Sequence, residues 1–106
     1  MELFFGQGVY KESNRTFEGQ IVLSDHKLFL KNGQEDLTKT YVPLEKIERI
    51  KKKFSSLEIY VRPSMTSKYS ATFKGERRQI SQLLNEIVHR RQLKKKFLKQ
   101  EWIEKT

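Results

Sequence analysis

At 106 residues the chain has room for one domain with a single core, and 7 Phe, 4 Tyr and 1 Trp give that core bulk despite a hydrophobic fraction of only 36%. Disorder throughout is thereby excluded as the expectation, and the absence of cysteine excludes a disulfide framework, a thiolate zinc site and a cysteine nucleophile. A formal charge of +9 points to phosphate-rich partners, either nucleic acid or anionic lipid.

The opening MELFFGQGVY has an acidic second residue and a brief apolar run, unlike a secretory signal, and no stretch approaches the ~20 apolar residues of a membrane span. A cytoplasmic protein, peripheral at a membrane if it meets one, is the expectation. Leu3, Phe5 and Val9 alternate around Gly6 and Gly8, which predicts a first strand that is bent or bulged. Glu12, Ser13 and Asn14 read as a turn. The segment EGQIVLSDHKLFLKN alternates on both sides of Asp25 and His26, with Phe17, Gly19, Ile21 and Leu23 on one face and Leu28 and Leu30 resuming it. That is a hairpin pattern. Asn32 to Asp36 reads as a loop with an Asn-Gly turn signal, Thr38 to Val42 as a fourth strand, and Leu44 to Lys46 as a turn into a fifth strand reaching about Lys53.

Leu57, Ile59 and Val61 alternate with Glu58, Tyr60 and Arg62 in a sixth strand, Pro63 to Ser67 form a loop, and Tyr69, Ala71 and Phe73 mark a seventh. At Gly75 the period changes. Ile80, Leu83, Leu84, Ile87 and Val88 follow helical spacing, with Gly75 as the expected N-cap. Arg91, Lys94 and Lys95 then occupy phases that should stay apolar, so the helix is expected to leave the core near Val88 to Arg90. Leu98 and Trp102 return to the stripe's phase further on. The division is a domain over 1–89, including the first part of the helix, and a basic helical extension over 90–106.

About seven antiparallel strands and one C-terminal amphipathic helix define a mostly β member of the α+β class, a bent sandwich or barrel capped by that helix. Within it, EGQIVLSDHKLFL followed by YVPLEKIERI resembles the GRAM domains of the pleckstrin-homology-like superfamily, at Gly19, Leu23, Ser24, Leu28, Phe29, Val42, Pro43, Leu44 and Ile47. The resemblance spans roughly Phe17 to Val88. It implies a small capped β barrel that binds phosphoinositides, peptides or partner domains, and it implies no catalysis. Lipid-binding members form a mouth from the loops after strands one, three and six. Lys11 and Arg15 match part of their basic pattern, while Phe17 stands where a further arginine would be. Arg62 and Lys68 flank the third of these loops, whose Met65 could enter a bilayer, and Glu35 and Asp36 in the second would repel phosphate.

Two further runs carry charge. Arg49, Lys51, Lys52 and Lys53 cannot present one plane from a strand and read as lysine protection of an exposed sheet edge. RRQLKKKFLKQEWIEK concentrates Arg90, Arg91, Lys94, Lys95, Lys96 and Lys99, with Phe97 and Trp102 as interfacial anchors. Such a tail draws anionic headgroups at about 1 kcal/mol per basic residue and is expected to outweigh Lys11 and Arg15, though a solvated helix end has the same composition. Catalysis finds no support. His26 sits in a tight turn, His89 faces away from the apolar stripe, neither has a partner at ligand or triad spacing, and Gly6 and Gly8 lack a nucleotide-binding context. The expectation is a binding module without cofactor or metal that engages anionic membrane or an acidic protein. The rivals are a small nucleic-acid-binding protein and a protein-protein adaptor.

Overall fold

Alternating residues build seven antiparallel strands before any α-helix begins: β1 (Leu3–Glu12), β2 (Arg15–Leu23), β3 (Lys27–Asn32), β4 (Glu35–Pro43), β5 (Ile47–Lys52), β6 (Ser56–Ser64) and β7 (Ser67–Gly75). A 3-10 turn at Leu44–Lys46 joins β4 to β5, helix α1 covers Arg77–Arg91, and a short β8 covers Ile103–Lys105. The computed structural model describes residues 1–91 and 103–105. One sheet holds every strand, in the order β4-β3-β2-β1-β7-β6-β5-β8, with only β8 running parallel to its neighbour. The class is therefore mostly β α+β, as the alternation and the change of period at Gly75 predict.

Chain connectivity forces this sheet to curl. Laid flat, β4 and β5 would stand six strand spacings apart, about 29 Å. Their connection through Leu44–Lys46 reaches at most about 14 Å. Rolling brings Leu23, Leu28 and Leu30 of the first strands into one cluster with Leu57, Ile59, Val61 and Phe73 of the last. The α1 stripe of Ile80, Leu83, Leu84 and Ile87 closes that cluster, and all four side chains are buried. At its centre Tyr10 and Phe73 meet edge to face, ring centroids 5.1 Å apart.

Several boundaries depart from expectation for local reasons. Glu76, not Gly75, caps α1: its carboxylate accepts from Gln79 N–H at 3.0 Å and its carbonyl takes the first helical bond from Ile80 at 2.9 Å. A side chain that reaches the N3 amide satisfies a donor that glycine cannot. The loop after β3 shrinks to Gly33 and Gln34, because Gly33 adopts φ +65° and lets Asn32 pair with Glu35. Asp36 accordingly lies within β4, 3.7 Å from Lys31 Nζ and accepting a bond from Tyr41 at 3.1 Å. The edge at Lys51 and Lys52 is not bare. β8 pairs along it in register Lys51 to Glu104 and Lys52 to Lys105, placing a strand where a helical extension was expected.

A second apolar layer was hidden by the alternation. Val22 and Phe29 are fully buried yet lie outside the main cluster. They pair across β2 and β3, Tyr41 packs edge-on to Phe29 at 5.2 Å, and Lys27 Nζ lies 4.2 Å from the Tyr41 ring centre. Room for Tyr41 comes from an irregularity in β4, where Leu28 faces Val42 but Leu30 faces Leu37. The buried Thr40 hydroxyl replaces the lost ladder there, accepting from Leu30 N–H at 2.8 Å and donating to the Leu37 carbonyl at 2.6 Å. Thr40→Val keeps the shape but orphans both backbone groups, and urea unfolding should register a loss of about 1–3 kcal/mol.

Tyr10 gives the fold an alkaline limit. Burial first, then its 2.7 Å bond to the Glu12 carboxylate, raises its phenol well above the ordinary value. The neutral phenol is thus favoured in the folded state. Its contribution is whole below the unfolded value of about 10 and is lost as pH climbs through the higher folded value. Tyr10→Phe should flatten this alkaline decline when unfolding is followed against pH.

Candidate functional site

The outer face of β5, β6 and β7 is built by the same alternation that fills the core. Leu57, Ile59 and Val61 point in, so Glu58, Tyr60 and Arg62 point out. Two irregularities then add residues to this face. In β5 the pairing passes from Ile47 and Val61 to Arg49 and Tyr60, which leaves Glu48 as the extra residue of a bulge. In β6 it passes from Val61 and Tyr69 to Ser64 and Ser67, which sets Arg62 and Pro63 against Lys68. Proline donates no ladder bond, so a bulge suits it.

The two bulges frame an open groove of about 710 Å³ lined by Glu48, Arg49, Tyr60, Arg62, Lys68 and Ser70 among others. Arg62 Nε donates to Glu48 Oε2 at 2.7 Å, and the Arg49 guanidinium carbon stands 4.3 Å from the Tyr60 ring centre. The bond from Arg62 holds the Glu48 carboxyl below the usual carboxylate range, with the charges of Arg62, Lys68 and Arg49 adding to it. One carboxylate thus sits among three cations.

The sheet also sets which turns share a side. Because β4-β3-β2-β1-β7-β6-β5 is antiparallel throughout, the β1-β2, β3-β4 and β6-β7 turns leave one rim and the β2-β3 and β5-β6 turns the other. On the first rim Met65 is 89% exposed at the β6-β7 tip. Lys11 and Lys68, both exposed, make no ion pair among the described residues, whereas Arg15 is held by Glu12 at 3.2 Å. Lys68 and Arg62 meet in the groove. Lys11 and Arg15 lie on the neighbouring hairpin, outside it.

Arg90 has a different job. Its Nη1 donates to Asp25 Oδ1 at 3.2 Å and to the Met1 carbonyl at 3.3 Å, its Nε lies 3.6 Å from Glu86, and only 13% of its side chain is exposed. It ties the last turn of α1 to the β2-β3 turn. Arg91 ends α1, and Lys94, Lys95, Lys96, Phe97, Lys99 and Trp102 lie outside the described residues. Sequence reasoning missed Glu48, Arg49 and Tyr60 as groove residues, since the bulge that gathers them has no mark in the alternation. Among the described residues, no cluster of three or more His, Cys, Asp and Glu could hold a metal ion, and no helix is long and apolar enough to cross a membrane.

No protein-family model matches the chain, and no curated protein matches it.

Proposed function

We propose that the chain is a non-enzymatic, pleckstrin-homology-like binding module of the cytoplasm that docks peripherally on anionic membrane through the rim carrying the β1-β2 and β6-β7 turns. The strand order and the helix across the rolled sheet support the family part of this reading. The observation that carries the function is Met65, 89% exposed at a turn tip, with Lys68 following it and Lys11 on the same rim, neither in an ion pair among the described residues. An exposed apolar tip on a rim that also carries cations gains on both counts at a charged bilayer, through burial of the thioether and through headgroup attraction. Arg62 and Arg15 enter the same field with their carboxylate partners attached.

Co-sedimentation with phosphatidylserine vesicles should show binding that phosphatidylcholine vesicles do not. Met65→Asp should weaken it about tenfold, and Lys11→Gln with Lys68→Gln by at least as much. Changing Lys94, Lys95 and Lys96 to Gln should weaken it further and reduce its salt dependence. Equal binding to neutral vesicles contradicts the proposal. Preference for random RNA or DNA at physiological salt replaces it with a nucleic-acid partner.

A further inference from the structure

We infer that the outer edge of β5 is a strand-acceptor site for an extended segment of a partner protein, one that sets an apolar residue beside Ile50 and an acidic residue beside Lys51. β8 is the resident that such a segment displaces. This surface is separate from the Met65 rim, and its partner is a protein whether or not the rim meets a bilayer.

The barrel strands leave that edge uncovered. β4 and β5 follow one another through the 3-10 turn, yet among the described residues they do not pair, so the rolled sheet keeps a seam with β5 along one side. β5 itself is firmly held. It pairs with β6 from Ile47 and Val61 to Lys52 and Leu57, and Ile50 is fully buried in the main cluster. An edge fixed in this way is a ready template for strand addition, because only the incoming segment has to be ordered.

β8 shows which residues the edge accepts. Its register sets Ile103 against Ile50 and Glu104 against the half-buried Lys51, an apolar residue at the apolar position and an acid at the lysine. It also closes the edge weakly. The pairing covers only Ile103–Lys105 and is parallel, whereas every other pair in the sheet is antiparallel. Parallel pairing is slightly less stable per residue, and short elements at an edge are among the first to open. A partner strand carrying the same apolar-acidic pair therefore competes for a site whose present occupant is easily released.

Amide chemical shifts test this with a blocked peptide copying residues 100–106, titrated into the isotope-labelled full chain. Saturable shifts confined to positions 50–52 and the β6 residues facing them are expected. Ile103→Pro, which a strand interior does not accommodate, should tighten peptide binding about tenfold by leaving the edge open. Glu104→Lys sets a lysine against Lys51 and should act in the same direction. Replacing the peptide's central glutamate, the copy of Glu104, by glutamine should weaken binding about threefold, a difference that Lys51→Gln in the protein should remove. Met65→Asp should leave peptide affinity unchanged. No binding to either opened variant, equal binding to native and opened chains, equal binding of a scrambled peptide, or shifts centred on the Met65 rim overturns the inference. A native chain that dimerises with rising concentration, and loses the dimer on Ile103→Pro, assigns the edge to a second copy and overturns the partner reading as well.

Discussion

Phe73→Ala is expected to cost about 3–5 kcal/mol in urea unfolding, a large share of the ~5–15 kcal/mol that holds a domain of this kind together. The ring is fully buried, faces Leu57 across β6 and β7, and meets Tyr10 edge-on at 5.1 Å. Removing it takes away apolar contact and leaves a cavity walled by hydrogen-bonded strands on the sheet side, which cannot collapse as freely as a loop. Phe73→Leu fills most of that space and should lose much less. A loss near zero for the alanine variant would mean that β7 does not line the core.

Gly8→Ala is the second large effect, expected at about 3 kcal/mol. Gly8 pairs with Gly19 on one side and Gly75 on the other, so three strands cross here without side chains on that line. Ile21 uses the space. A Cβ on Gly8 would come within 2.4 Å of Ile21 Cδ1 and 2.7 Å of the Lys74 carbonyl oxygen. The isoleucine tip can turn aside, but the carbonyl belongs to the β7 ladder and moves only with the strand. Gly33 provides the contrast: a Cβ there meets nothing within 4 Å, and only its φ of +65° resists substitution. Gly33→Ala should therefore cost about 1 kcal/mol, and thermal unfolding of the two variants side by side checks the difference.

Period and punctuation carried most of the fold. The two-residue alternation located β1, β2, β3, β6 and β7, and the stripe from Ile80 to Ile87 located the buried face of α1, because each pattern reports a face whose neighbours are buried. Where burial occurs on both faces the pattern is silent. Val22 and Phe29 looked like outward positions, and only the bulge that brings Tyr41 over Phe29 makes them interior. Bulges likewise hid the groove. Glu48 and Arg49 are consecutive, so strict alternation assigns them to opposite faces, whereas the extra residue in β5 lets both line one site. Arg90 belongs by sequence to the basic run expected to draw anionic headgroups, and its partners Asp25 and the Met1 carbonyl, 65 and 89 positions away in the chain, leave no local mark. β8 escaped because its three residues owe their conformation to the edge of β5 rather than to any pattern of their own.

Which end of the barrel meets the bilayer is the most direct test of the proposed function. Met65 follows β6 and Phe54 precedes it, so nine strand residues, about 30 Å, separate two exposed apolar tips. Phe54 is 70% exposed and lies beneath Arg77, 4.7 Å from its guanidinium carbon, so the far rim has an apolar tip and a cation of its own. The chain has no cysteine, so Met65→Cys and Phe54→Cys each accept one environment-sensitive fluorophore. With phosphatidylserine vesicles the label at 65 should shift to the blue and lose access to aqueous quencher, while the label at 54 stays in water. A blue shift at 54 with none at 65 would contradict docking through the Met65 rim.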